Sequence, residues 1–205
     1  MISIVGYGVG NVGSIVNMLK RIGHSSYVAT SPDELEGAKK VILPGVGSFD
    51  SGMNKLISGG WKEILDQKAL QEKVPILGVC LGMQLFTKGS DEGDAPGFGW
   101  VDAETKAFDK SLMATGERVP HMGWNVVESE KESPLFDGLT DEQRFYFVHS
   151  YHVVCNNPAD TLTTTCHGYK FTSSFEHNNI IGVQFHPEKS HKFGMEFFRR
   201  FAEKY

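Results

Sequence analysis

Two short runs hold side chains able to do covalent chemistry. The first is Val74-Pro-Ile-Leu-Gly-Val-Cys80-Leu-Gly82-Met-Gln84, where a short apolar strand pattern breaks at a Gly-x-Cys-x-Gly turn and resumes as a helix. A strand-to-helix turn this sharp leaves no room for side chains on its flanks, which accounts for Gly78 and Gly82, and it aims the thiol at the N-terminus of the following helix. Helix N–H groups and the positive dipole end favour the thiolate, the form that attacks a carbonyl carbon. The competing reading is a buried structural cysteine in a parallel strand. The second run is Gln184-Phe-His186-Pro-Glu188, which ends an apolar stretch. Extended geometry puts His186 and Glu188 on the same side. A thiol nucleophile needs a base to take its proton and return it to the leaving group, and an imidazole needs a carboxylate to fix its tautomer. His-Pro-Glu alone is most often a surface turn; its place at a strand end, like that of Cys80, favours the pairing.

Both runs depend on elements that bring strand ends together. Ile2–Val5 reads as a strand, and Val12, Ile15, Val16 and Leu19 recur at helical spacing up to a stop at Gly23. Ser25–Ala29 predicts a second strand, Ser31-Pro32-Asp33-Glu34 a capped helix start, and Lys40–Pro44 a third strand. A helix around Trp61–Leu70 leads into the strand that carries Cys80. This alternation predicts an α/β fold with a mostly parallel central sheet and helices on both faces, its sites at strand C-termini. The second half is β-rich, with runs at Phe145–Cys155, Thr161–Thr165, Phe171–Phe175 and Ile180–Phe185. Asn178-Asn179 reads as a hairpin turn. Phe193, Phe197, Phe198 and Phe201 form the apolar stripe of a closing helix. The polar, breaker-rich stretch between Gly89 and Gly99 reads as a loop.

The chain has 205 residues, enough for one well-buried domain and short for two, so residues 1–205 are expected to form a single domain. Its 40% hydrophobic and 22% charged residues describe a soluble globular protein, and a net charge of −5 without a basic cluster argues against nucleic acid. The N-terminus enters a strand pattern at once, and no apolar run reaches membrane-spanning length. A cytoplasmic location without membrane contact is therefore expected. Cys80, Cys155 and Cys166 are odd in number and lack C-x-x-C spacing, so neither a disulfide framework nor a metal site is expected.

Gly8-Val-Gly10-Asn-Val-Gly13 fits the G-x-G-x-x-G pattern of dinucleotide sites. The strand after it, Tyr27-Val-Ala-Thr, ends without the acidic residue that holds a ribose. The glycines are therefore expected to serve a tight β–α turn. Leu43-Pro-Gly45-Val46-Gly47-Ser48-Phe49 also follows a strand, and its glycines let backbone N–H groups approach a substrate oxygen, so it could place an oxyanion donor beside the Leu81 N–H; a structural turn is the alternative. Pro120-His-Met122-Gly-Trp124-Asn125 would suit an interface or a core position equally. Phe147-Val-His149-Ser150-Tyr151-His152 alternates as a strand, its polar residues facing either a pocket or solvent.

Taken together, these runs resemble class I, or triad-type, glutamine amidotransferases, and among them the family of glutaminase subunits of imidazole glycerol phosphate synthase. The likeness extends from Gly8-x-Gly-Asn11 through Leu43–Gly47, Gly78–Gln84, Pro120–Asn125 and Tyr146–Tyr151 to His186-Pro-Glu-Lys-Ser190, nearly the whole chain. It implies the flavodoxin-like architecture of that class and hydrolysis of L-glutamine to glutamate and ammonia through a Cys80 thioester, with His186 as proton shuttle, Glu188 orienting it, and no cofactor. Gly47 and Leu81 match the oxyanion hole. Gly82, Gln84, Glu92, Ser150 and Tyr151 match positions that hold glutamine, and Asn11, Met122, Trp124, Tyr146, Lys189 and Ser190 match positions at or near a subunit interface. The implied partner, in a heterodimer, is a (β/α)8-barrel cyclase that uses the ammonia to make imidazole glycerol phosphate and a purine precursor in histidine biosynthesis.

Two other readings stay open on sequence alone. A paralogous glutaminase subunit could feed a partner that aminates a nucleotide sugar, because the acceptor binds the partner and leaves no mark on this chain. A non-catalytic binding module could keep the same fold.

Overall fold

Four consecutive buried residues, Ile2–Val5, form β1, an inner strand of a sheet, since a strand covered on both faces needs no polar alternation. The computed structural model describes residues 1–113, 117–137 and 143–205. Helix α1 (Val12–Arg21) turns its buried Ile15 and Leu19 to the sheet and stops where Gly23 takes a positive φ, with the His24 N–H bonded back to Leu19 O. Strands β2 (Ser26–Ala29), β3 (Val41–Gly45) and β4 (Ile76–Cys80) follow; β1 pairs in parallel with β2 and β3, and β3 with β4. Between them lie α2 (Phe49–Ser58) and α3 (Trp61–Asp66), the latter continued by a π turn over Gln67–Gln71.

The short helix α4 (Leu81–Leu85) starts immediately after Cys80. The chain then builds β5 (Ala103–Ala107), β6 (His121–Val126), β7 (Glu128–Ser129), β8 (Arg144–His149), β9 (Tyr151–Cys155), β10 (Thr161–His167), β11 (Tyr169–His177) and β12 (Ile180–Val183) before closing with α5 (His191–Lys204). Strand β12 returns to lie parallel beside β4, completing the parallel row β2-β1-β3-β4-β12, while β11, β10, β7, β9 and β5 extend the sheet in antiparallel fashion. Strands β6 and β8 form a separate two-stranded ribbon.

The two faces of the sheet are covered by different helices, as the alternation of elements predicts. Phe49, Met53 and Leu56 of α2 and Trp61 and Leu65 of α3 pack over one face with Val5, Val41, Leu43 and Ile76. Ile15 and Leu19 of α1 and Phe197, Phe198 and Phe201 of α5 pack over the other with Ile4, Ile42, Leu77 and Ile181. Phe145 and Phe185 stack there with ring centroids 4.1 Å apart. Each fully buried phenylalanine contributes on the order of 1.5–3 kcal/mol, which makes the α5 stripe a main anchor of the C-terminus. Among the described residues, no helix is long and apolar enough to cross a membrane.

Several local expectations are corrected. The predicted helix start at Ser31 yields only a single 3₁₀ turn, Pro32–Leu35, and Ser31 gives no side-chain cap. The Glu34 carboxylate instead accepts from the Thr30 N–H at 2.6 Å. The run Phe145–Cys155 is two strands in different sheets, broken at Ser150. Helix α2 was legible only in hindsight: Phe49, Gly52, Met53 and Leu56 are its buried stripe at helical spacing, with Gly52 masking the pattern. Asn178 does turn the β11–β12 hairpin with φ 56°. The glycine pattern after β1 is a β–α turn, in which Gly8 and Gly10 take φ values of 82° and 95° and a Gly10 Cβ would stand 2.7 Å from Pro44.

Candidate functional site

Cys80 adopts φ 55° and ψ −109°, a conformation a non-glycine residue keeps only when its surroundings enforce it. The enforcement is close backbone packing. A Cβ on Gly82 would stand 2.0 Å from Leu43 O, one on Gly78 would stand 2.6 Å from the Gly82 carbonyl, and one on Gly45 would stand 2.7 Å from Gly82 N. Strand β3, strand β4 and helix α4 therefore touch backbone to backbone, and the elbow between the last two has one path left. It sets the Cys80 side chain at the C-terminal edge of the parallel strands, where a cleft of about 360 Å³ opens.

His186 reaches that cleft from the end of the neighbouring strand. The expectation of extended geometry from His186 to Glu188 is corrected: β12 ends at Val183, and Pro187–Lys189 is a 3₁₀ turn. The turn curls Glu188 back so that its Oε1 lies 2.8 Å from His186 Nδ1, a contact in which Nδ1–H donates to the carboxylate. Both side chains are almost wholly buried, at 1% and 2% exposure. The other ends of the pair, His186 Nε2 and Glu188 Oε2, are buried without a hydrogen-bond partner among the described residues. Burial alone would lower the imidazole, but the charge of Cys80 beside it and the bond to Glu188 outweigh that and hold it up at about 10. The arrangement is thus able to keep a proton on the imidazole while the sulfur is negative.

Ser190 clamps this turn. Its hydroxyl donates to His186 O at 2.6 Å and accepts from the Tyr146 N–H at 3.0 Å. It has no exposed surface, so what its side chain does in this chain is hold the turn from within.

The structure brings most of the other expected residues to the same cleft. Gly47, Leu81, Gln84, Glu92, Ser150, Tyr151 and Lys189 line it, together with Val46, Val148 and His149. Gly47 takes φ 100°, and Val46 beside it is exposed. Gly82 lies two residues past Cys80, where a Cβ would run into the Leu43 carbonyl, so it shapes the site without offering a side chain. Glu92 is anchored by its Oε2, which accepts from the Phe49 N–H at 2.8 Å at the start of α2, and Asp50 accepts from the Asp94 and Ala95 N–H groups at 3.2 and 3.0 Å. The loop after Gly89 is therefore stitched to the N-terminus of α2, where negative groups are favoured.

A polar layer beneath the cleft was missed by sequence reading. The Tyr151 carbonyl accepts from Gln84 Nε2 at 3.1 Å and from His149 Nδ1 at 2.7 Å. With Nδ1 carrying the proton, His149 Nε2 accepts from His121 Nδ1 at 3.0 Å, and His121 Nε2 accepts from Asn125 at 3.1 Å. Both imidazoles are held neutral: burial pushes His121 down to about 4 and His149 well below the usual range. Tyr7, a buried phenol without a hydrogen-bond partner among the described residues, is raised by burial and by the charge of Cys80 nearby. The only sequence signal for this layer was the strand-like alternation in Phe147–His152.

Beside the cleft, the β6–β8 ribbon presents an apolar surface. Met122 and Trp124 are 62% and 45% exposed. Trp124 stacks on His191 at 5.5 Å and meets Tyr146 edge-on, while Lys189 Nζ lies over the Tyr146 ring. Asn11 stands half-exposed at the start of α1.

Similarities to known proteins agree with this geometry. The sequence profile described as Glutamine amidotransferase class-I matches residues 4–205. The protein named Imidazole glycerol phosphate synthase subunit HisH 2 of Pseudomonas aeruginosa is 45% identical over 203 residues, and its namesake in Methanococcus maripaludis is 48% identical over 203 residues; each alignment covers 99% of both chains. Among solved structures, PurLQS from Thermotoga maritima superposes with a TM-score of 0.74 at 16% identity over 99% of this chain and 97% of that one, a likeness of fold. A structure described as a glutamine amidotransferase gives 0.72 at 19% identity over 98% and 97%. On a family match spanning residues 4–205 and relatives alike over nearly their whole length, the chain belongs to the class I glutamine amidotransferase family, in its branch of imidazole glycerol phosphate synthase HisH subunits.

Proposed function

We propose that residues 1–205 act as one cytoplasmic glutaminase domain that hydrolyses L-glutamine and hands the ammonia to a (β/α)8-barrel cyclase subunit making imidazole glycerol phosphate and a purine precursor. The observation that carries this reading is the meeting of Cys80 and His186 in a single cleft, with Glu188 bonded to the far side of the imidazole. Cys80 Sγ attacks the side-chain carboxamide carbon, and the oxygen charge develops toward the N–H groups of Leu81 and the Gly45–Gly47 loop. His186 gives its proton to the departing nitrogen, ammonia leaves, and water activated by the same imidazole hydrolyses the γ-glutamyl thioester. Glu188 holds Nδ1–H throughout, so Nε2 is the atom that faces the reaction.

Substrate is held by the remaining lining residues. Both hydrogens of Gln84 Nε2 are engaged, toward Tyr151 O and Gln184 Oε1, which leaves the Gln84 amide oxygen to accept from a ligand donor. Glu92 offers a second acceptor for the α-ammonium of glutamine, and Ser150 and Tyr151 present the segment between β8 and β9.

Ammonia set free in neutral water is captured as ammonium and loses its nucleophilicity, so a site of this kind works with a docked acceptor enzyme. The exposed Met122–Trp124 surface beside Tyr146 and Lys189 supports a partner there, since large apolar side chains grouped at one edge favour an interface over solvent. Full-length identity to HisH subunits favours the histidine-pathway cyclase over a nucleotide-sugar partner.

The test measures glutamate released from glutamine by the chain alone, with a barrel cyclase subunit added, and with the cyclase plus its ribonucleotide acceptor. Turnover is expected to rise at the last two steps, because the Gly45–Gly47 loop can hold its donor turned away until the partner binds. Cys80→Ala is expected to abolish glutamine use and leave ammonia-dependent synthesis by the complex intact. Equal turnover in all three arms overturns the gating, and loss of both activities in Cys80→Ala overturns the division of labour.

A further inference from the structure

A carbonyl oxygen only accepts hydrogen bonds, and this fixes the orientation of two buried amides beneath the cleft. The Tyr151 carbonyl faces the Gln84 amide at 3.1 Å, so the Gln84 atom opposite it is Nε2. The second hydrogen of that nitrogen points to the Gln184 amide at 3.0 Å, so the receiving atom is Oε1. Gln184 Nε2 is left aimed at Cys80 Sγ, 3.7 Å away. Turning the Gln184 amide over would set two NH₂ groups against each other and leave the sulfur facing an oxygen. The side chain cannot drift from this position, because Gln184 has no exposed surface and its own N–H is bonded to Ser173 O at 2.8 Å.

We infer that Gln184 is a further catalytic residue, the hydrogen-bond donor that holds the Cys80 sulfur as a thiolate in the path of the glutamine carboxamide; the inference rests on the reading of Cys80 as nucleophile. The sulfur has two polar neighbours of opposite kind. Val148 O, at 4.0 Å, only accepts and so suits the protonated thiol. Gln184 Nε2 donates and so suits the thiolate. As the proton passes from Sγ to His186 Nε2, the sulfur exchanges the first partner for the second. A sulfur electron pair then forms the C–S bond while the carbonyl π pair moves onto oxygen. On collapse the C–N bond breaks and the nitrogen leaves with the imidazolium proton. The bond from Gln184 acts again when water displaces the sulfur from the thioester and negative charge returns to it.

Among the described residues, the titratable groups around the sulfur are His186 and Glu188 beyond β12, Tyr7 after β1, His149 at the end of β8, Tyr151 at the start of β9, and Glu92 and Lys189 lining the cleft. Substitution at position 184 leaves all of them in place. The experiment follows alkylation of Cys80 by iodoacetamide in the full chain as a function of pH, read by mass on the Cys80 peptide so that Cys155 and Cys166 do not contribute. Gln184→Glu keeps the shape and the bond from Gln84 but turns the donor into a carboxylate oxygen. Its alkylation profile is expected to move up by about one pH unit or more, roughly tenfold slower reaction on the acidic limb. Gln184→Met removes the donor without adding charge and is expected to shift the profile less, in the same direction.

Thermal melts identify which variants fold, and either one alone carries the test. A folded variant whose profile coincides with that of the unsubstituted chain overturns the inference even if turnover falls, because a packing role lowers rates without moving the profile. Labelling of Cys80 by a glutamine-analogue diazoketone checks the underlying reading separately. Absence of that label overturns the reaction and with it the catalytic role, whatever the alkylation profile shows.

Discussion

Glu188→Gln isolates the charge of the buried carboxylate while keeping its volume. In the native arrangement Glu188 Oε1 lies 2.8 Å from His186 Nδ1 and the two side chains are 2% and 1% exposed, so water screens the pair little. At an effective dielectric near 20, Coulomb's law gives roughly 4–6 kcal/mol between the imidazolium and the carboxylate at such a separation. Removing the charge lets burial lower the imidazole, and at about 1.4 kcal/mol per decade the lower figure corresponds to about 10³-fold in the step that needs the imidazolium proton. The amide has no good orientation either. With its oxygen toward Nδ1, its NH₂ occupies the place of Oε2, which has no hydrogen-bond partner among the described residues. With its nitrogen toward Nδ1, the neutral ring carries its proton on Nε2 and can no longer accept one from the thiol. The prediction is a fall in glutaminase kcat of about 10³-fold with little change in KM, measured in the complex with acceptor present, and unchanged synthesis from added ammonia. A loss below about tenfold in a folded Glu188→Gln variant would refute the reasoning, since the carboxylate would then be neither charging nor orienting His186.

Two further outcomes follow from the same geometry. Gly82→Ala puts a Cβ 2.0 Å from Leu43 O where ordinary contact begins at 3.4 Å, so β3 or α4 must retreat by about 1.4 Å; denaturant titration is expected to show about 3 kcal/mol or more of lost stability, and a change within about 0.5 kcal/mol would contradict the backbone packing of the elbow. His121, only 4% exposed, has its folded value lowered from 6.5 to about 4 by burial, so the unfolded chain binds more protons between those values and stability falls as pH drops through that window. Denaturant titrations at pH 7 and pH 5 are expected to differ by about 1–2 kcal/mol from this group, a difference that His121→Phe should shrink and that, if equal in both chains, would exclude His121 as its source.

The parallel core was legible because buried strands and amphipathic helices write their burial into residue periodicity. Ile2–Val5, the α1 stripe, the elbow strand and the phenylalanine stripe of α5 all stand where the pattern puts them. The second half was less so, since a run such as Phe145–Cys155 carries no local mark of the sheet change at Ser150; pairing partners decide that, and they are distant in sequence. Glu92 lies in a loop whose composition says only that it turns. Its place in the cleft depends on bonds to the start of α2, more than forty residues away along the chain.

The sequence by itself determined which groups could react: a cysteine between two glycines, a histidine and glutamate two apart, and glycine loops at strand ends, because those requirements are local and steric. Only the tertiary structure decided how they meet. The β12 strand has to return beside β4 before His186 and Cys80 share a cleft, and the 3₁₀ turn, clamped by Ser190, has to curl Glu188 back onto the imidazole. The Gln84–Gln184 amide pair is decided the same way, by a backbone carbonyl contributed from another strand. Hydrogen-bond direction is a property of the assembled neighbourhood, and no stretch of chain carries it alone.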